Sequence, residues 1–103
     1  MIKANIYRTP NGQVFGFRVE SHGDPIVCSA VSALCFNAVN SIEQFTELDF
    51  TLDASQDGGD MIFSLPYLEN GGKDNNASLL LNSLVLGLKQ IELDYSNDLK
   101  VFD

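Results

Sequence analysis

The stretch DPIVCSAVSALCFNAVNSIEQF, residues 24–45, predicts a long amphipathic helix against which the rest of the chain has to be arranged. Asp24 is a good N-cap, and Pro25 fits the first helical turn, where its missing N–H costs nothing. Apolar side chains then recur every three or four residues, which is helical spacing. The apolar stripe that needs burial comprises Val27, Val31, Leu34, Cys35, Ala38, Ile42 and Phe45.

Alternating segments on both sides of this helix predict two β-hairpins. Before the helix, residues 2–8 and 13–20 alternate polar with apolar side chains around TPNG, which offers Pro and Gly for a turn. After the helix, residues 47–54 and 60–68 alternate with period two around the turn-forming SQDGGD. The acidic turn lacks the spaced ligands of a calcium loop, so we interpret it as a hairpin turn.

A second helix is predicted over residues 78–95, SLLLNSLVLGLKQIELDY, after the polar and exposed segment 69–77. It is broken only by Gly87. Its apolar surface is wider than one contact with a small sheet needs, so a broad core helix and a subunit interface both fit. The tail 96–103 is interpreted as a short extended piece.

The order of these segments predicts an α+β fold with two layers. We expect β-β-α-β-β-α, a four-stranded antiparallel sheet with two helices on one face, in a single domain over residues 1–103. A chain of 103 residues with 45% hydrophobic content can bury a core of this kind. No stretch approaches the roughly 20 apolar residues of a membrane span, and the N-terminal alternation does not fit a signal peptide, so a cytoplasmic protein is expected.

The charge balance restricts the partners. Fourteen acidic residues against six basic ones give a net charge of -8, which argues against direct nucleic-acid binding. Such a surface serves solubility and also attracts a basic protein. One histidine and two cysteines do not supply the ligands of a zinc site, and no phosphate-binding glycine motif is present, so no metal or cofactor is expected.

Cys28 and His22 are the candidates for chemistry. Cys28 lies near the start of the first helix, where unpaired N–H groups and the helix dipole favour a thiolate. His22 precedes it by six residues, and the loop between them can fold back to hydrogen-bond distance. A buried thiol and a solvated histidine fit the same pattern. Asp24 either caps the helix or orients His22, with capping favoured, and Ser32 lies one turn after Cys28.

The second thiol, Cys35, shares the apolar stripe and is predicted to lie in the core. On one helix, Cys28 and Cys35 are separated by roughly 10 Å. This is too far for a disulfide, whose Cα atoms lie within about 7 Å. Both thiols are therefore expected to be free.

The motif His-Gly-Asp-Pro-Ile-Val-Cys-Ser-Ala-Val-Ser, residues 22–32, resembles the signature of the ribosomal-processing cysteine protease (Prp) family of small bacterial proteins. The resemblance extends over essentially the whole chain, from MIKANIYR to GLKQIELDYSNDLKVFD. It implies a cysteine endopeptidase, typically a homodimer, that removes the N-terminal extension of a large-subunit ribosomal protein. The resemblance also implies that Cys28 is the nucleophile and His22 the general base. It further implies that Ser32 has a supporting role and that no cofactor is needed.

Two departures from the family pattern concern the loop before the cysteine. Only residues 23–27 separate His22 from Cys28, whereas the family loop is usually longer. Pro25 occupies the place where the family usually has aspartate, and Asp24 lies one position upstream. An alternative function therefore stays open, a catalytically inactive acidic dimeric adaptor of the same fold that binds a basic ribosomal protein. For the peptidase, we expect backbone N–H groups near Cys28 and Ser29 to stabilise the oxyanion.

Overall fold

The structure is a computed structural model that describes residues 1–20, 22–56 and 59–103. Both predicted hairpins and both long helices are present in these ranges, the tail predicted to be extended forms a strand, and a short helix that the sequence did not predict is added. In chain order the elements are β1 (Ile2–Arg8), β2 (Val14–Glu20), α1 (Pro25–Phe45), β3 (Thr51–Ala54), β4 (Asp60–Ser64), α2 (Pro66–Glu69), α3 (Asn75–Asp94) and β5 (Leu99–Phe102).

The strands form a five-stranded mixed sheet in the order β3-β4-β2-β1-β5. The prediction of four antiparallel strands is wrong because the tail supplies β5, which pairs with β1 in parallel from Ile2↔Leu99 to Asn5↔Phe102. The N–H of Ile2 donates to the carbonyl of Asp98 (2.8 Å), and alternate residues of β5 are buried. A strand that runs parallel to its neighbour has to be reached by a crossover connection, and α3, which precedes β5, forms this connection.

A third, short helix replaces the end of a predicted strand. The segment 60–68 was expected to be extended throughout, but β4 ends at Ser64 and α2 begins at Pro66. Proline has no N–H to donate to a strand neighbour, and it suits the first turn of a helix. α3 also begins earlier than predicted, because the carboxylate of Asp74 accepts a hydrogen bond from the N–H of Ala77 (2.9 Å) and caps it.

One cluster of buried side chains joins the two long helices to the inward face of the sheet. The register places Ile6, Phe17 and Phe63 side by side across β1, β2 and β4, and the rings of Phe17 and Phe63 lie 5.4 Å apart. The predicted stripe of α1 is largely confirmed, with Leu34 partly buried. Phe45 is the exception, since it ends α1 and is exposed.

α1 is long and apolar enough to cross a membrane by length and composition alone. The expectation that no stretch of the chain approaches the length and apolar composition of a membrane span is therefore wrong. The core helix of a soluble protein passes the same test, and α1 places six residues in the buried cluster. Packing within the fold accounts for part of its apolar character, while Ile26 and Phe45 are exposed.

Gly87 lies at a contact between the two long helices. The predicted break does not occur, because α3 continues through this position. A Cβ atom on residue 87 would lie 2.9 Å from Cδ1 of Leu34, which is closer than real Cβ contacts. The missing side chain lets α3 lie directly against α1.

The C-terminal residue holds β5 in place. The carboxylate of Asp103 accepts from Nε of Arg8 in β1 (2.6 Å) and from Nη2 of the same side chain (3.1 Å), and it lies 2.7 Å from Nζ of Lys89 in α3. Hydrogen bonds from Arg8 and Lys89 lower the pKa of Asp103 from 3.8 to about 2. Glu92 Oε2 accepts from the N–H of Val101 (2.6 Å), so β5 is held from two sides.

Replacement of this carboxylate, Asp103→Asn, is expected to lower the free energy of unfolding by about 1 kcal/mol at neutral pH, because water screens these partly exposed ion pairs. The folded-state pKa lies below the unfolded value, so the contribution is present above about pH 4 and is lost as pH falls toward 2. Urea unfolding across this range measures the difference between variant and wild type. Glu47→Gln, at an exposed carboxylate, is the control. A difference in unfolding free energy between Asp103→Asn and wild type that does not change with pH would contradict the stabilising role of the Asp103 carboxylate.

Candidate active site

The N-terminus of α1 is closed by Asp24. Its Oδ1 accepts hydrogen bonds from the N–H groups of Ile26 (2.9 Å) and Val27 (3.2 Å), and its carbonyl accepts from the N–H of Cys28 (2.9 Å). Asp24 therefore caps the helix, as the sequence favours. Among the described residues, it makes no hydrogen bond to His22.

One expected oxyanion donor is already engaged within the helix. The N–H of Cys28 was expected to face a substrate, but it donates to the carbonyl of Asp24 within the helix. The two preceding N–H groups donate to the Asp24 carboxylate. The hydroxyl of Ser29 donates to the carbonyl of Pro25 (2.8 Å). An oxyanion would have to compete with Asp24 for the first-turn amides or find donors elsewhere.

The two thiols occupy different environments on α1. Cys28, in the first turn, is half-buried and packs against the core cluster while part of it faces solvent. Cys35 is 1% exposed, and its burial raises the pKa of that thiol to about 12. Both are free, as predicted. Of the two, Cys28 is the thiol that a substrate can reach.

His22 lies just beyond the end of β2. Its carbonyl accepts a hydrogen bond from the N-terminal ammonium of Met1 (3.0 Å), which fixes the backbone, while 70% of the side chain is exposed. Nε2 lies 3.4 Å from Oδ1 of Asp60, and among the described residues the ring makes no hydrogen bond to Cys28. In the ranges it describes, the structure therefore brings His22 to Asp60 and not to the thiol.

Asp60 was not singled out by the sequence. It is the first residue of β4 and is the register partner of Glu20, the last residue of β2. Its N–H donates to Oγ of Ser55 (3.0 Å). The sequence places Asp60 in a hairpin turn, but only the pairing of β4 with β2 brings it beside His22.

Ser32 lies one turn after Cys28 and is half-buried. Within the described part of the chain, the Ser32 hydroxyl makes no hydrogen bond. Its supporting role stays a prediction. Within residues 1–20, 22–56 and 59–103, no three His, Cys, Asp or Glu side chains come together as a metal site.

A shallow depression of about 230 Å³ adjoins Asp60 on the outward face of the sheet. Arg18, Asp53 and Ile62 line it, and the register places these three in one row across β2, β4 and β3. Arg18 is paired with Glu20 at 3.0 Å. Negative charge therefore predominates on this side of the candidate site.

An α+β fold with a reachable thiol in the first turn of its long helix, and a histidine at the end of the adjoining strand, has the features of a cysteine peptidase. Residues 1–100 match the family model described as cysteine protease Prp. The chain belongs to this family of cysteine proteases.

Individual relatives agree over nearly the whole length. The chain is 31% identical, over 98% of its length and 96% of the relative's, to the ribosomal processing cysteine protease Prp of Bacillus subtilis strain 168. Its fold matches the essential ribosomal processing protease Prp from S. aureus, solved with a covalently linked product peptide (TM-score 0.87, 24% identity, 99% and 98% of the two chains). It also matches SMU.848 from Streptococcus mutans (TM-score 0.84, 28% identity, 99% and 92% coverage).

The environments of the thiols predict selective alkylation. In the native protein, iodoacetamide should modify Cys28 and leave Cys35 unmodified, because Cys35 becomes accessible only when the core opens. We expect Cys35 to react at least about 100-fold more slowly than Cys28. Mass spectrometry of tryptic peptides, with Cys28→Ala as control and urea to expose both thiols, gives the two rates. Comparable native rates would contradict the placement of Cys35.

Proposed function

We propose that this chain is a cysteine endopeptidase that removes the N-terminal extension of a large-subunit ribosomal protein, with Cys28 as nucleophile and His22 as general base and acid. The observation that carries the proposal is a reachable thiol in the first turn of α1, in a chain that belongs to the Prp family over residues 1–100. The name of the Bacillus subtilis relative supports the ribosomal substrate. The cytoplasm, where ribosomal proteins are made, is the corresponding location.

The reaction is acyl transfer in two steps. His22 takes the proton from Sγ of Cys28, and the thiolate attacks the scissile carbonyl carbon. When the tetrahedral intermediate collapses, His22 gives the proton to the leaving amine and a thioester remains on Cys28. Water then hydrolyses the thioester and releases the removed segment. The exposure of the His22 ring leaves it room to turn toward the thiol.

Substrate charge fits the surface of the enzyme. The net charge of -8 would attract a basic ribosomal protein and raise the rate of association at low ionic strength. The depression beside Asp60 places carboxylates close to the site. The same surface argues against direct nucleic-acid binding.

Cleavage of peptides that span ribosomal-protein N-termini tests this function. Wild type is expected to cut one bond, Cys28→Ala none, and His22→Ala to lose about 10²- to 10⁴-fold in rate, the range of a general base. Mass spectrometry identifies the products and hence the bond. Ser29→Ala, at a neighbouring exposed residue, is the matched control.

Binding of the basic protein that survives Cys28→Ala, without any cleavage by wild type, would contradict the peptidase. It would favour the inactive adaptor instead. Binding without cleavage is thus the outcome that separates the two functions.

We also propose that the protein is a homodimer through the outer face of α3. Leu79, Leu86 and Leu93 recur at intervals of seven on this face and are 70%, 60% and 82% exposed. Seven-residue spacing aligns side chains along one side of a helix, as in helix pairs. The neighbouring Asn82, Ser83 and Gln90 are uncharged, so two chains of net charge -8 meet there with little repulsion.

A charge placed in the middle of this face tests the dimer. Leu86→Asp is expected to convert the dimer to a monomer at micromolar concentration, because the carboxylate would be buried against the partner helix. Leu52→Asp, at an exposed leucine of β3, is the matched control. Sedimentation velocity gives the mass of each. A dimer that survives Leu86→Asp would place the interface elsewhere.

A further inference from the structure

His22 and Asp60 meet because β2 and β4 are neighbours in the sheet. The register pairs Glu20, the last residue of β2, with Asp60, the first residue of β4, and His22 lies two positions after Glu20 in the sequence. Hydrogen bonds hold the backbones of both His22 and Asp60 in place. The His22 carbonyl accepts from the Met1 ammonium (3.0 Å), and Asp60 exchanges two hydrogen bonds with Ser55 (2.9 and 3.0 Å). The contact between the two side chains is therefore built into the sheet.

We infer that Asp60 is a positioning residue that holds the His22 imidazole with Nε2 toward its carboxylate and Nδ1 free for the thiol of Cys28. A carboxylate only accepts hydrogen bonds, so the ring nitrogen that faces it carries the proton. A neutral imidazole has one N–H, so Nδ1 then carries the lone pair. This is the tautomer in which Nδ1 can act as the base. The inference rests on the proposed function.

The proton balance follows from this orientation. The Sγ–H proton of Cys28 moves to Nδ1 and leaves a thiolate, while Nε2 keeps its own proton toward Asp60. The resulting imidazolium has the carboxylate as its counter-ion. Nδ1 later gives its proton to the leaving amine, which restores the neutral ring and the same tautomer.

The other charged groups near His22 are already engaged. The Asp24 carboxylate accepts from two amides of α1, and Glu20 is paired with Arg18 at 3.0 Å. The Met1 ammonium binds the His22 carbonyl. Among the described residues, Asp60 is the carboxylate in contact with the ring.

The contact is loose in the free protein. Its 3.4 Å is longer than the roughly 2.7–3.2 Å of a good N–H···O hydrogen bond, and the two side chains are 70% and 56% exposed. Catalytic hydrogen bonds of this kind tighten when a bound substrate excludes water. We therefore expect an effect of about 10- to 100-fold, smaller than that of a buried carboxylate behind a catalytic histidine.

The first test is the kinetics of peptide cleavage. Asp60→Ala should lower kcat about 10- to 100-fold with KM changed less than about threefold. Asp60→Asn keeps an oxygen acceptor but loses the negative charge, so its kcat should lie between those of Asp60→Ala and wild type. Glu47→Gln, at an exposed carboxylate outside the depression, is the control and should be unchanged. A rise in KM alone, or equal losses for alanine and asparagine, would overturn the inference.

The second test needs no peptide substrate, so it separates this inference from the proposed function. The rate of Cys28 alkylation by iodoacetamide at neutral pH is measured for wild type, Asp60→Ala, His22→Ala and the double variant. If Asp60 acts through His22, each single change slows alkylation, and adding Asp60→Ala to His22→Ala slows it no further. The inference would be overturned if Asp60→Ala slowed alkylation equally in the wild-type and His22→Ala backgrounds, or if it did not slow alkylation in the wild-type background. Either result would count even if the enzyme cuts its peptide. Thermal unfolding checks that the variants are folded.

Discussion

The burial of one side of α1 against the sheet is the constraint on which the rest of the structure depends. Val31, Cys35 and Ile42 are almost completely inaccessible, and they hold the helix at a fixed rotation against the core that it shares with α3 and the sheet. Because the side chains of a helix turn by a fixed angle per residue, this rotation also determines where Cys28 lies. Cys28 is half-buried and packs against the edge of the core. A helix packed in another rotation would bury the Cys28 thiol completely or expose it fully.

The start of the same helix has two competing uses. Its first N–H groups are the natural donors for an anion, including an oxyanion, but Asp24 occupies them from within the chain. Capping stabilises a helix by about 1 kcal/mol and keeps the first turn, with Cys28, in place. In the free protein, the first-turn amides are thus engaged by Asp24 and not open to a ligand. In this chain the aspartate beside the cysteine is a cap, and the carboxylate beside the histidine comes from β4.

The C-terminal strand shows how distant segments complete the fold. β5 lies at the edge of the sheet beside β1, and its partners come from both layers, with Arg8 in the sheet and Lys89 in α3. The Met1 ammonium fixes the His22 backbone at the other end of β1. β1 therefore connects the C-terminal residue to the candidate site, and the N-terminal strand has a role in both.

The sequence by itself determined the elements whose signals are local. The period of α1, its cap and proline, the two hairpins, the buried Cys35 and the candidate pair His22 and Cys28 could all be read from neighbouring residues. The tertiary structure decided what depends on pairing between distant segments: the parallel β5, the contact of Asp60 with His22, and the approach of α3 to α1 at Gly87. Local patterns set backbone preference and which side of a segment is apolar. Strand order, register and the neighbours that each side chain contacts follow from how the whole chain buries its apolar surface.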